Sequence, residues 1–158
     1  MITYVNRDLI KVTKADGVIA IPINAAGIAE GVAKAITKKH PKNRAAFIPS
    51  QKPGSVTLIE TSEATIANLV IQVYPGWPVV GNHGDSLADR MLFLSQAIKA
   101  LGQLPPQPLY VPYKIGCWGP IGSWRTVHHL LANTSLDIRV AVPRWAVAGA
   151  EQKGYTVI

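Results

Sequence analysis

Two glycine-bearing stretches have the residue types to hold an anion. Residues 24–31 (Asn-Ala-Ala-Gly-Ile-Ala-Glu-Gly) run into a lysine-rich segment, and residues 116–122 run into Ser123 and Trp124. Glycine lets backbone N–H groups approach a phosphate, and a helix N-terminus behind such a loop adds partial positive charge. Other reactive side chains are sparse. Cys117 has no identifiable base beside it, as a nucleophile would need. His83 and Asp85 form the one plausible acid/base pair of their segment. Trp77 and Trp118 could wall a pocket or stack on a flat ring. His128 and His129 fall inside a helix that starts at the second loop, a turn or more from its ligand end, and read as packing and surface residues.

These stretches need a scaffold, and the composition supports one. The chain has 158 residues, enough for one domain with a real core, and hydrophobic residues make up 48% of it against 16% charged. A disordered charged tail is excluded. The single cysteine and the four histidines lack the spacing of a structural zinc site or a disulfide scaffold. No apolar run approaches the ~20 residues of a membrane helix. The N-terminus lacks the apolar segment of a signal peptide, so a reducing, cytoplasmic, bacterial or phage setting is expected. Neither metal nor cofactor is called for. The net charge of +7 favours polyanions such as nucleotides or nucleic acid. Lys34, Lys38, Lys39, Lys42, Arg44 and Lys52 crowd one stretch, with only Glu30 against them.

The hydrophobic pattern predicts alternating strands and helices. Residues 18–23 are continuously apolar, as in a strand buried on both faces, although Pro22 should end or bulge it. A helix follows over 31–39, with Val32, Ala35 and Ile36 inward and Lys34, Lys38 and Lys39 outward. Strands are expected at 55–59 and 67–74. Asp85 or Ser86 caps a helix to about Leu101, whose buried stripe is Leu87, Met91, Leu94, Ala97, Ile98 and Leu101. A strand at 109–112, a helix from Trp124 to about Leu131, and a strand at 137–142 complete the core, with residues 155–158 as a short extra strand. This order means an α/β fold, a single domain over 1–158 with a C-terminal extension at 145–158. Ligands of such sheets bind beyond the carboxyl ends of the strands.

Taken in order, these pieces resemble the macro domain, the ADP-ribose-binding α/β module. Residues 2–9 resemble its opening strand and Gly-Asp-Ile/Leu signature, with Arg7 in place of the glycine. Gly31-Val32-Ala33 resembles its helix start, and residues 53–56 its Gly-x-Val strand entry. Pro112-Tyr113-Lys114-Ile115-Gly116-Cys117, with Trp124 downstream, resembles the Pro-x-Ile-Gly-Cys-Gly loop of the branch whose glycohydrolases remove ADP-ribose from glutamate or DNA bases. The resemblance covers about residues 1–145. It implies a three-layer α/β/α fold with a mixed central sheet and both glycine loops at one end. It implies ligand contacts from Asp16 at the adenine and Asn24 at the distal ribose. Phosphate contacts are implied from backbone donors around Gly31, Val32, Gly119, Ile121 and Gly122; Gly27, Gly116, Trp118 and Pro120, which offers only its carbonyl, complete the ligand-binding loops, and Trp145 is the nearest candidate to stack on adenine.

The departures shape the functional expectation. That branch attacks the ribose with a lysine at the end of its fourth strand, where this chain has Gln72, Val73 and Tyr74. Pro120 stands where some members place an aspartate, and Ala29-Glu30 interrupts the paired glycines. The expected function is therefore binding of ADP-ribose, a related adenine nucleotide or an ADP-ribosylated target, without lysine-based hydrolysis. Two alternatives stand beside it. One is an ADP-ribosyl glycohydrolase or phosphatase that activates water, with His83 or Asp85 assisting. The other is a basic nucleic-acid or protein interaction module that has lost the nucleotide site. No membrane partner is expected.

Overall fold

The two longest apolar runs form the middle of a sheet. In the computed structural model, which describes residues 1–76, 85–115 and 123–158, they are β2 (Val18–Asn24) and β4 (Thr65–Gln72). Around them lie β1 (Ile2–Asn6), β3 (Val56–Glu60), β5 (Leu109–Pro112) and β6 (Ile138–Val142). The strand order is β1-β6-β5-β2-β4-β3. Every neighbouring pair is parallel except β3 with β4, so the sheet is mixed, with one antiparallel edge.

Side-chain alternation sends two sets of residues to two layers. Val18, Ala20, Ala67, Leu69, Val111 and Val140 join one core with α2 (Leu87–Leu101), α3 (Trp124–Ala132) and α4 (Val147–Gln152). Ile19, Ile21, Ile23, Ile66 and Val70 join the other with α1 (Gly31–Lys39) and the short 3-10 turn Leu9–Lys11. Helices on both faces make the three-layer α/β/α arrangement. Fully burying one such isoleucine stabilises the fold by roughly 1.5–3 kcal/mol, so this alternation fixes which face each strand shows.

Some elements differ from their sequence reading. Pro22 does not end β2. Pairing with β5 spans only Val18 and Ile19, whereas pairing with β4 runs on past Pro22 to Asn24, with a register slip between Ile23 and Asn24. On α1 the fully buried residues are Ala33, Ile36 and Thr37, and Val32 and Ala35 are half-buried. On α2, Leu87 is exposed and Arg90 takes a place in the buried stripe. Ser86 caps α2: its hydroxyl accepts from the Asp89 N–H and the Asp89 carboxylate accepts from the Ser86 N–H, two otherwise unpaired donors satisfied together.

The C-terminal residues pack onto this frame. A 3-10 turn at Arg144–Ala146 and α4 occupy most of residues 145–158. The chain then covers the free edge of β1, where Val157 bridges Tyr4, the Asn6 N–H donates to Ile158 O at 2.8 Å and the Ile158 N–H to Tyr4 O at 3.0 Å. An edge strand left open would template pairing with another chain.

Candidate functional site

Beyond the carboxyl ends of β2, β4 and β5 lies a cavity of about 520 Å³. Its apolar floor includes Pro22, Ile23, Ile71 and Pro112; Ile28, Glu30, Gly31, Val32 and Ala33 line one side and Tyr113, Lys114 and Ile115 the other. Asn24 and Gln72 supply polar side chains between them.

The β2–α1 connection is built by Asn24. This residue is buried at 2% exposure; its Nδ2 donates to Ile28 O at 2.7 Å, and its Oδ1 accepts from the Ile28 N–H at 3.0 Å. The two bonds close residues 24–28 into a compact loop. Gly27 turns that loop with φ of +78°, and an added Cβ would come within 3.1 Å of the Phe47 and Ile48 backbone. It lies outside the cavity lining and serves the turn. Gly31 differs. It opens α1 with φ of +53°, lines the cavity, and among the described residues has nothing within 4 Å of an added Cβ.

The first intrahelical donor of α1 is the Lys34 N–H, which reaches Glu30 O at 3.3 Å. The N–H groups of Gly31, Val32 and Ala33 thus have no acceptor within the helix. Glu30, the residue before the helix, makes no side-chain cap. The arrangement presents amide donors and the positive end of a helix dipole to the cavity. Across from it, Lys114 adds a cation. Its Nζ lies 5.5 Å from the Tyr113 ring centroid, and its backbone takes φ of +60°, a left-handed conformation unusual for lysine.

Tyr113 and Lys114 also line a second cavity of about 350 Å³, with Pro143, Trp145 and Gln152 among its walls. Trp145 is 80% exposed there, so its ring is open to a ligand. The two cavities have Tyr113 and Lys114 in common.

Behind the shared wall is an aromatic cluster. Trp124 Nε1 donates to the Tyr4 hydroxyl at 3.1 Å, and that hydroxyl lies 2.7 Å from His128 Nδ1. The phenol oxygen accepts from Trp124 and shares a second hydrogen bond with the His128 imidazole. Burial raises the Tyr4 pKa above its ordinary value, and burial followed by the neighbouring His129 lowers that of His128. Tyr155 stacks on Tyr4 at 4.6 Å, and Tyr113 meets Trp124 edge-on at 5.4 Å. The start of α3, where the second glycine loop ends, is anchored in this way.

Other residues singled out in the sequence lie elsewhere. Asp16 sits just before β2, at the strand end away from the cavity, and lines neither cavity. Its Oδ2 accepts from Arg7 at 2.6 Å and from the Thr13 N–H and hydroxyl at 2.8 and 2.9 Å. The Thr13 bonds, more than Arg7, hold its pKa below the usual carboxylate range. Asp85 is 1% exposed; one oxygen accepts from the Val73 N–H at 2.6 Å and the other from Arg90 at 2.9 Å. With both oxygens engaged, Asp85 is placed to hold structure. His83, Trp77, Gly116, Cys117, Trp118, Gly119, Pro120, Ile121 and Gly122 lie outside the described residues.

The sequence reading missed Arg90. This buried guanidinium donates to Gly76 O at 2.7 Å and Tyr74 O at 3.3 Å, and so ties down the chain leaving β4. The signal was a charged residue four positions before Leu94, on the apolar stripe of α2. Among the described residues, no cluster of three or more His, Cys, Asp or Glu could hold a metal, and no helix is long and apolar enough to cross a membrane.

No protein-family model matches the sequence, and no curated protein matches it. Solved structures do. The macrodomain of Thermus aquaticus DarG superposes with a TM-score of 0.64 at 16% identity, covering 90% of this chain and 99% of that one. A macrodomain protein from Streptomyces coelicolor gives 0.61 at 20% identity, with 90% and 99% covered. A Bacteroides thetaiotaomicron protein gives 0.66 at 18% identity, with 89% and 99% covered. Likeness that spans nearly the whole of each chain, on a mixed sheet of this strand order, identifies the architecture: the chain has the macrodomain fold.

Proposed function

We propose that the cleft binds ADP-ribose or a related adenine nucleotide, free or attached to a larger target, without hydrolysis through a lysine adduct. The observation that carries this reading is the opening of α1 into the cavity, with the Gly31, Val32 and Ala33 amides unused within the helix and Lys114 opposite. Those groups supply the amide donors and the cation that a diphosphate would take. Asn24 keeps one amide hydrogen for the distal ribose, because an amide nitrogen has two and Ile28 takes one. Trp145, on the neighbouring cavity beyond Tyr113 and Lys114, offers a face for adenine. The resemblance to macro domains implies a second ligand loop at Gly116, Trp118, Gly119, Pro120, Ile121 and Gly122. Asp16 is left out of the ligand set, since three donors already occupy its Oδ2 and it lines neither cavity.

Turnover has weaker support. Gln72 lines the cavity at the end of β4 and cannot act as an amine nucleophile, and Asp85 is engaged by Arg90 and Val73. Calorimetry with ADP-ribose should give saturable binding, and Gly31→Val should abolish it. Incubation with ADP-ribosylated DNA or glutamate-ADP-ribosylated protein, followed by borohydride, should trap no adduct. Absence of ADP-ribose binding at millimolar concentration would refute the reading.

A second reading, a nucleic-acid surface, rests on the basic ridge. Lys34, Lys38, Lys42, Arg44 and Lys52 are exposed, and the ion pairs among the described residues involve other cations. Lys34 and Lys38 stand one turn apart on α1, the helix that opens into the cavity. DNA binding that weakens steeply with salt, and whose salt slope flattens in Lys34→Gln/Lys38→Gln, would favour this surface.

A further inference from the structure

The basic segment holds one buried ionisable group that the site does not use. His40 ends α1 and begins the 3-10 turn Pro41–Ala46. It is 5% exposed, and among the described residues its Nε2 is buried without a hydrogen-bond partner. Its backbone makes a corner: the His40 N–H donates to Ile36 O at 2.8 Å, and the His40 carbonyl accepts from the Asn43 N–H at 2.9 Å. Asn43 then clamps the turn to the sheet. Its side chain exchanges hydrogen bonds with Asn68 of β4 at 2.8 and 3.0 Å and donates to the Thr37 hydroxyl at 3.1 Å.

This corner joins two supports of the first ligand loop. One is α1, whose N-terminus opens into the cavity. The other is the chain that follows the turn: the Ser50 N–H donates to Ala25 O at 2.8 Å, and an added Cβ on Gly27 would meet the Phe47 and Ile48 backbone. A change at His40 therefore reaches residues 24–31 from both sides.

The imidazole makes the corner sensitive to acid. Imidazolium donates from both ring nitrogens, so the cation puts an N–H at Nε2 with no acceptor, whichever tautomer is present when neutral. The helix dipole favours a cation near a C-terminus, but the cost of burying an unpaired charge is larger. The charged groups that act on the ring are Lys39 beside it, whose Nζ is held at Ile10 O at 2.7 Å, and Glu63 from the turn before β4. Burial is the largest influence and Lys39 adds to it, against Glu63, so the His40 pKa lies below the ordinary 6.5. Lys38, Lys42 and Arg44 are exposed.

We propose that His40 is an acid-sensitive latch: neutral, it keeps the corner closed, and its protonation favours a local opening of α1, the turn and the ligand loop together, an opening that bound ligand suppresses. The ligand half of this inference rests on the nucleotide reading of the cleft; the acid half does not.

The test follows the wild type and His40→Leu between about pH 7.5 and pH 5, the range in which histidines titrate. Proton NMR should show the His40 ring, assigned by its loss in His40→Leu, titrating below the ordinary value. Between that value and the lowered one only the opened corner takes up the proton. Hydrogen exchange, corrected for its intrinsic pH dependence, should therefore show protection of residues 24–50 falling by up to about tenfold per pH unit there and levelling off below, with β1 and β6 unchanged. In His40→Leu, protection of residues 24–50 should not depend on pH. ADP-ribose at a hundred times its Kd should raise that protection about a hundredfold in both proteins. Undiminished wild-type protection in acid, or the same acid opening in His40→Leu, would overturn the proposal. Should the variant not fold, a wild-type His40 that titrates at or above the ordinary value would overturn it alone. An acid opening that bound ADP-ribose leaves unchanged would overturn the coupling to the site. An acid opening in a protein that binds no ADP-ribose would uphold the latch and overturn the nucleotide reading.

Discussion

The two ends of β2 carry similar residues in opposite states. At the amino end, Asp16, Thr13 and Arg7 bond one another, and the Val18 N–H donates to Pro108 O at 2.9 Å. Gly17 sits between them because nothing larger fits: an added Cβ would lie 2.3 Å from Pro108 O. At the carboxyl end, Asn24 keeps a donor in reserve, Gln72 keeps an acceptor, and Gly31 takes a left-handed conformation with open space around it. One end holds the fold and the other leaves bonding capacity over. Residue type alone does not separate them, since each end has a glycine and polar partners. What separates them is whether the polar groups are already satisfied.

The largest expected effect comes from a region that braces the second end. Arg90→Met leaves Asp85 buried without its cation and releases the Tyr74 and Gly76 carbonyls. Breaking a buried pair on one side costs about 3–5 kcal/mol. Urea denaturation should show a loss of that size. A double variant, Arg90→Met/Asp85→Leu, should recover part of it by removing the stranded carboxylate, although the Val73 N–H then loses its acceptor. If the single variant were as stable as wild type, the pair would not be bracing the chain after β4.

Next come the two glycines, which put the comparison directly to the test. Gly17→Ala forces a Cβ against backbone, and the loss should be about 2–4 kcal/mol, in the range of overpacking and strained backbone together. Affinity for ADP-ribose should stay within twofold in the fraction that remains folded. Gly31→Ala meets no atom of the described residues and should lose only about 1–2 kcal/mol from its positive φ, yet it should weaken ADP-ribose more than tenfold. Stability and affinity are thus expected to rank the two variants in opposite order. The same order in both assays would break the contrast between the ends.

Most of the scaffold was legible in the sequence because it follows from periodicity. Continuous apolar runs gave β2 and most of β4, Leu109–Pro112 was read at its observed bounds, and alternating strands and helices implied the three layers. The left-over groups were harder to see. Asn24 and Gly31 stood out because a strand ended and a helix began beside them. Gln72 was weighed only as a possible nucleophile, since no local pattern shows that a glutamine lacks a partner. Arg90 drew no reading, and Asp85, five residues before it, reads as a catalytic or capping acid. Their shared burial depends on the chain that returns from β4, which is a tertiary fact. Asp16 looked functional for the same reason in reverse: its three donors come from a turn and from Arg7, nine residues away.

The smallest effect sharpens the account of the amino end through pH. The Thr13 backbone and hydroxyl donors, with a smaller contribution from Arg7, hold the Asp16 carboxyl below its ordinary pKa of about 3.9. Unfolding restores the ordinary value, so between the two values the unfolded chain binds the extra proton. Stability from this group is therefore fully present above the unfolded pKa and declines as pH falls through the folded one. Arg7 and Asp16 have side chains 38% and 25% exposed, and solvent screening keeps the ion pair itself small. Asp16→Asn should thus lose about 1 kcal/mol at pH 7, the size of a hydrogen bond or two to a charged acceptor discounted for exposure. The gap between wild type and variant should narrow as denaturation is repeated at pH values falling below the ordinary carboxylate pKa. ADP-ribose affinity at pH 7 should not change. A loss of affinity comparable to that of Gly31→Ala would place Asp16 in the binding site after all, and the two ends of β2 would no longer divide into one that holds and one that binds.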